Sequence, residues 1–195
     1  MSIENKKNCA VIVETRGIDM DIVRAHMKFL PDWDCQIIGE GISITSMQSY
    51  NDLLVSLDFW DKLKEYNRVL IFQMDSMLLR NGIDEFLEWD YVGAPWGWQS
   101  HGGNGGLSIR NPRVMMEIIK KVPYKHGWNE DTYFSNALHD LPSVGKLAPR
   151  SVCEKFSCET IFKLGTLGYH AIEKYLPISQ VNQIKNQYDK SVLAR

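Results

Sequence analysis

Nowhere in the 195 residues do about 18 apolar residues run consecutively, so no membrane span is expected. No excess of basic charge is present either: 22 Lys and Arg face 24 Asp and Glu, a net charge of −2. A dedicated nucleic-acid binder should show a basic surplus, so that class is excluded. Cysteine is scarce, with Cys9, Cys35, Cys153 and Cys158 scattered along the chain and no Cys-x-x-Cys pair. Such spacing suits reduced thiols rather than a disulfide framework or a zinc site. A signal peptide is not expected, because polar Met1–Asn8 leads only to the short apolar run Cys9–Val13. A cytoplasmic location is the expectation that follows.

What the chain does have is globular composition, 44% hydrophobic and 24% charged, which argues against extensive disorder. At this length roughly 70% of the unfolded surface can be buried, enough for one domain without staples. Six Trp and eight Tyr are many for the length, and such rings fill cores or stack on flat ligands and sugars.

The apolar runs Cys9–Val13 and Val69–Phe72 read as buried strands, the latter apolar on both faces, and Cys35–Ile38 reads as a further strand. Between them, Asp19 is placed to cap a helix running to about Leu30, and Tyr50–Tyr66 has helical periodicity. That alternation predicts a mostly parallel sheet flanked by helices. Further on, Ile83–Trp89 suggests a short helix, Tyr91–Ala94 and Leu107–Arg110 suggest strands, and 95–106 a loop. Asn111-Pro112 opens a helix to about Lys121, and another begins at Asn129. No repeat or linker divides the chain, so 1–195 is read as a single domain with a polar tail from about 180.

In open α/β sheets ligands bind beyond the carboxyl ends of the strands. One such end runs into Glu14-Thr15-Arg16 and another into Gln73-Met74-Asp75-Ser76. An acid directly after a buried strand is well placed to hold a hard divalent cation, and equally able to cap the turn. Four glycines in His101–Gly106 allow close approach of a ligand to the backbone, or simply a flexible loop. Neither a P-loop nor a dinucleotide fingerprint is present. Glu130 and Asp131 stand at a helix start, where carboxylates serve as caps or, facing a pocket, as a general base. His170, expected to open a short helix, could complete a cation site begun by Asp75, or be an ordinary histidine.

Taken in order, the blocks Gln-Met-Asp-Ser at 73–76, Asp-Tyr-Val-Gly-Ala-Pro-Trp at 90–96, Gly-Asn-Gly-Gly-Leu-Ser-Ile-Arg at 103–110, Asn-Glu-Asp at 129–131 and Gly-Tyr-His at 168–170 resemble a family of compact glycosyltransferase-like domains with the GT-A fold, found in bacteria and large DNA viruses of algae. The resemblance spans about residues 10–170. It implies a Rossmann-like, mostly parallel mixed sheet and a metal-dependent hexosyltransferase that moves a sugar from a nucleotide diphosphate donor, a UDP-sugar by family analogy, to a hydroxyl of a glycan or protein-linked glycan. The usual Asp-x-Asp is here Gln73-Met74-Asp75, leaving Asp75 as the carboxylate ligand of Mn2+ or Mg2+ and His170 as the second ligand. Thr15 and Arg16 would meet the nucleotide together with Asp75 and Ser76. Asn104, Gly105 and Gly106 would line the sugar pocket, and Glu130 and Asp131 would hold the acceptor, Asp131 as candidate base. The compact length also suits one module of a longer protein. Two other classes stay open: a metal-assisted nucleotidyl- or phosphoryl-transfer enzyme, and a non-catalytic carbohydrate-binding module using the Trp residues.

Overall fold

A computed structural model describes residues 7–188. Its centre is a five-stranded sheet of β1 (Cys9–Val13), β2 (Asp34–Ile38), β3 (Val69–Phe72), β5 (Tyr91–Ala94) and β6 (Asn104–Arg110), in the order β2-β1-β3-β6-β5. The pairs β1–β2 and β1–β3 are parallel, whereas β6 runs antiparallel to both its neighbours. Only β6 is reversed, so the sheet is mixed and mostly of one direction, as the strand and helix order predicts.

Strand alternation divides the core in two. Val11, Val69 and Ile71 pack with Trp60, Met115, Ile118, Tyr133 and Phe134 from the helices of one face. These helices are α2 (Met47–Leu54), α3 (Leu57–Asp61), α4 (Pro112–Lys121) and α5 (Glu130–Asp140). Ala10, Ile12, Leu70 and Phe72 point the other way, to Val23, Phe86, Cys153 and Phe156. That face carries α1 (Met20–Met27), a 3-10 turn at Ile83–Phe86 and α6 (Arg150–Phe156). Burial on both faces is why these strands are unbroken apolar runs rather than alternating ones.

A second sheet, of three short strands, was not legible beforehand: β4 (Ser76–Leu78), β8 (Gly168–His170) and β7 (Ser157–Cys158), in the order β4-β8-β7. His170 therefore ends a strand instead of opening a helix; α7 (Ile172–Tyr175) starts two residues later, after Ala171 at φ 49°. The helical stretch expected over 50–66 is two helices, because Ser56 breaks it and caps α3 through the Phe59 N–H at 3.2 Å. The tail is helical as α8 (Ile178–Lys185), and residues from 189 on lie outside those described. All four cysteines are free thiols. Among the described residues no helix is long and apolar enough to cross a membrane.

Trp60 is the largest fully buried side chain, and its indole N–H donates to the Leu54 carbonyl at 2.6 Å. Trp60→Ala removes that volume and orphans the carbonyl. It is expected to cost about 3–5 kcal/mol, read as a lowered midpoint in urea unfolding.

Candidate functional site

A cleft of about 580 Å3 opens beyond the carboxyl ends of β1 and β3. Glu14 and Arg16 form one wall, Ile44–Met47 and Tyr50 another, and Gln73, Met74, Asp75 and Lys174 the floor and far side. Glu14 closes its own turn: its carboxylate accepts the Thr15 and Arg16 N–H groups and pairs with the Arg16 guanidinium at 2.8 Å. The Arg16 pair holds Glu14 down at about pKa 2. Gly39 passes so close to the Glu14 carbonyl that any Cβ would overlap it.

Asp75 and His170 meet, although 94 residues separate them: Asp75 Oδ1 lies 3.2 Å from His170 Nε2. Backbone pairing brings them together. Ser76 is the register partner of His170 across β4 and β8, and the Ala171 N–H donates to the Asp75 carbonyl at 2.8 Å. Gln73 Oε1 also lies 3.0 Å from His170 Nε2, and the other ring nitrogen faces Glu159 Oε1 at 3.0 Å. Lys174 reaches back from α7 to Asp75 Oδ2 at 2.5 Å. The hydrogen bond from His170 outweighs burial and, with Lys174, holds the Asp75 carboxyl well below the usual range. For His170, burial lowers proton affinity, but Asp75 and Glu159 overcome it and the pKa rises.

The residues fit a divalent cation. A carboxylate and an amide oxygen that line the cleft meet an imidazole nitrogen beside it, and the Lys174 ammonium already stands on the carboxylate as an internal cation. Among the described residues, no group of three or more His, Cys, Asp or Glu side chains forms a metal cluster. Remaining ligands would have to come from water and a bound diphosphate, the habit of hard divalent ions.

Next to His170 lies the glycine block. Its second half, Asn104–Gly106, is the start of β6, whereas 101–103 are loop as expected. Register against β5 jumps from Gly93↔Ser108 to Ala94↔Asn104, so Gly105, Gly106 and Leu107 bulge from that edge. Gly106 lies flat against the imidazole, where a Cβ would overlap the ring; at Gly105 a Cβ would strike Glu130 and Arg110. The two N–H groups are already taken, Gly106 by Asn104 Oδ1 at 2.7 Å and Gly105 by Asp131 Oδ2 at 3.1 Å. These glycines therefore provide room rather than free donors for a sugar.

Asp131 sits at the start of α5, beside Gly105. Burial and the neighbouring Glu130 push its pKa up to about 6. Glu130 has a different fate from the one expected. It is 3% exposed and paired bidentately with Arg110, which is itself fully buried. The guanidinium lies 5.1 Å above the Tyr91 ring and also reaches the Gly105 carbonyl. With both carboxylate oxygens on Arg110, Glu130 is tied into the core, whereas Asp131 faces the Gly105 N–H. Ser76 also departs from expectation: it is buried, its hydroxyl donates to the Gln73 carbonyl at 2.7 Å and accepts the Gln73 N–H at 3.2 Å, so it staples the turn. Thr15 is likewise engaged with Glu14 and the Ile44 carbonyl, leaving Arg16 as the member of that pair that lines the cleft. Sequence reading missed Gln73, Lys174, Glu159 and Tyr50, which lines the cleft wall. The four-residue step from His170 to Lys174 was the one local signal available.

A family model described as a protein of unknown function, DUF5672, matches residues 32–178. The chain belongs to that family. Asp75, the glycine bulge, Asp131, Glu159, His170 and Lys174 fall inside the matched span of this DUF5672 chain, while Glu14–Arg16 precede it. No curated protein matches the chain. Among solved structures, a glycosyltransferase involved in the glycosylation of the major capsid of PBCV-1 is similar over 93% of this chain and 98% of its own, with a TM-score of 0.56 and 10% identity. The A197 protein from STIV matches 66% of this chain and 75% of its own, with a TM-score of 0.43 and 13% identity. The first of these likenesses is one of fold, a mixed α/β sheet with flanking helices.

The raised pKa of Asp131 has a definite sign. The folded chain holds this proton more tightly than the unfolded chain, whose Asp titrates near about 3.9. The stability it contributes is complete below about pH 4 and is lost as pH rises through about 6. Asp131→Asn cannot ionise and should escape that loss. Relative to wild type it is expected to gain up to about 3 kcal/mol between pH 4 and pH 8 in urea unfolding. An equal difference at both pH values would contradict the assignment.

Proposed function

We propose that the chain is a glycosyltransferase that uses a divalent cation, Mn2+ or Mg2+, and a nucleotide diphosphate sugar. The observation that carries this reading is the contact of His170, at 3.2 Å, with Asp75, which lines a cleft beyond the strand ends. The shared fold with a glycosyltransferase supports it.

In this reading the nucleotide lies in the cleft between Arg16 and the wall of Ile44–Met47 and Tyr50, with its diphosphate toward Asp75. A UDP-sugar is the donor that family analogy favours. A cation held by Asp75 and His170 supplies positive charge against the leaving diphosphate. Lys174 lets go of Asp75 and turns its ammonium to the same phosphates. The donor sugar sits over Gly106, where the missing side chain leaves room. The acceptor hydroxyl of a glycan approaches from Asp131. The bond from the anomeric carbon to the phosphate oxygen breaks, and the bond to the acceptor oxygen forms. With inversion, Asp131 takes the hydroxyl proton, for which a pKa near 6 is well matched. With retention, Asp131 orients the acceptor. Holding both substrates supplies the proximity contribution.

A thermal-shift screen of nucleotide diphosphate sugars with and without Mn2+ tests this. One donor should raise the melting temperature of the wild type with Mn2+, and the shift should vanish with EDTA, in Asp75→Ala and in His170→Ala. Turnover should release a nucleoside diphosphate together with a glycosylated acceptor. Release of pyrophosphate or phosphate would instead indicate nucleotidyl or phosphoryl transfer. Donor binding that survives both EDTA and Asp75→Ala would overturn the cation assignment.

A further inference from the structure

Glu159 has no part in the chemistry outlined above, yet it is an unusual residue. It is 2% exposed, one oxygen faces His170 Nδ1 at 3.0 Å, and the other has no hydrogen-bond partner among the described residues. A carboxylate buried with an orphaned oxygen is costly, and an apolar side chain of similar volume would pack there at lower cost. Its place in the fold shows what it does instead. The pairs Ser157↔Gly168 and Cys158↔Tyr169 put Glu159, the next residue, beside His170 on one flank of β8. On the other flank Ser76 pairs with His170 and carries Asp75. The ends of the three strands thus set Glu159, His170 and Asp75 in a row.

We propose that Glu159 is a positioning residue of the cation site. Its Oε1 accepts the Nδ1–H of His170 and fixes the ring orientation. Oxygens of Asp75 and Gln73 face Nε2. Because Asp75 is also paired with Lys174 while Glu159 makes no other hydrogen bond among the described residues, the one proton of the neutral ring stays on Nδ1 and the Nε2 lone pair is left for the cation. Gly106 lies against the ring and limits its tilt, while Gln73 stands in front. A carboxylate behind a ligating histidine also raises the basicity of the ligand nitrogen. An imidazole without this partner is free to carry its proton on Nε2 and turn an N–H toward the cation. The proposal rests on the reading that Asp75 and His170 hold a divalent cation, and its test separates the two.

The experiment compares wild type, Glu159→Leu and Glu159→Gln in two measurements. The first is the imidazole 15N spectrum of His170 in metal-free protein, at a pH where the ring is neutral. Wild type should show the proton on Nδ1, Glu159→Gln should retain it through its amide oxygen, and Glu159→Leu should shift toward the Nε2–H form. The second is Mn2+ titration followed by electron paramagnetic resonance, with modulation from a coordinated imidazole nitrogen as its signature. Affinity should fall about 10–100-fold in Glu159→Leu and stay within several-fold of wild type in Glu159→Gln. Wild-type His170 with its proton on Nε2, or a folded Glu159→Leu with unchanged tautomer and Mn2+ affinity, overturns the positioning role. Wild type with the Nδ1 proton that binds no Mn2+ keeps the positioning role and overturns the cation reading instead. Should Glu159→Leu not fold, the wild-type tautomer still decides.

Discussion

The site depends on one backbone pairing. When Ser76 and His170 become register partners in the small sheet, an acid from the first half of the chain and an imidazole from its last quarter are fixed within hydrogen-bonding distance. The Ala171 N–H, which donates to the Asp75 carbonyl, locks the end of the pairing, and Ala171 adopts a left-handed φ to make it. Such a conformation is uncommon for a residue with a Cβ and is held only where the surroundings over-determine it. Here those surroundings are a short ladder and a packed patch of Leu79, Tyr169, Ile172, Val181 and Ile184. The C-terminal helices therefore brace the histidine, and α7 also supplies Lys174 to the cleft.

A second constraint acts from the other side. Arg110 and Glu130 are both buried, and such a pair is tolerated only with close geometry and satisfied hydrogen bonds. Arg110 meets those conditions through Glu130, the Ser108 hydroxyl and the Gly105 carbonyl, under the faces of Tyr91, Phe134 and Trp60. The pair clamps the start of α5 to the end of β6, and from there Arg110 reaches back to the Gly105 carbonyl near the start of the strand. Gly105 is then held at both ends, its carbonyl by Arg110 and its N–H by Asp131. The same clamp leaves a negative neighbour beside Asp131, which raises its proton affinity toward the neutral range. One arrangement thus shapes the glycine bulge and tunes the candidate base.

Much of this was legible in residue types and little of it in residue partners. Asp75 stood out because an acid directly follows a strand buried on both faces, and Asn111-Pro112 and Asn129 marked helix starts that the structure has. Glu130 and Asp131 looked equivalent, because both occupy the first turn of one helix. They point to different partners, and that difference is set by Arg110, one strand and one helix away in the chain. The glycines looked like a ligand-facing loop, since nothing local reveals that the Asn104 side chain and Asp131 consume their N–H groups. Glu159 gave no signal at all. It follows a two-residue strand too short to have a pattern, and its importance comes from a parallel register that only the folded chain has.

By itself, then, the sequence determined the sheet, its two-sided burial, the helix starts and the strand-end acid, because hydrophobic periodicity and capping chemistry act between residues a few positions apart. Tertiary structure alone decided which carboxylate is buried in an ion pair and which stays titratable, which side chains flank His170, and where the glycines bulge. Those outcomes follow from pairings between distant segments, and the energy of a charge or an imidazole depends on the neighbours and burial that such pairings impose.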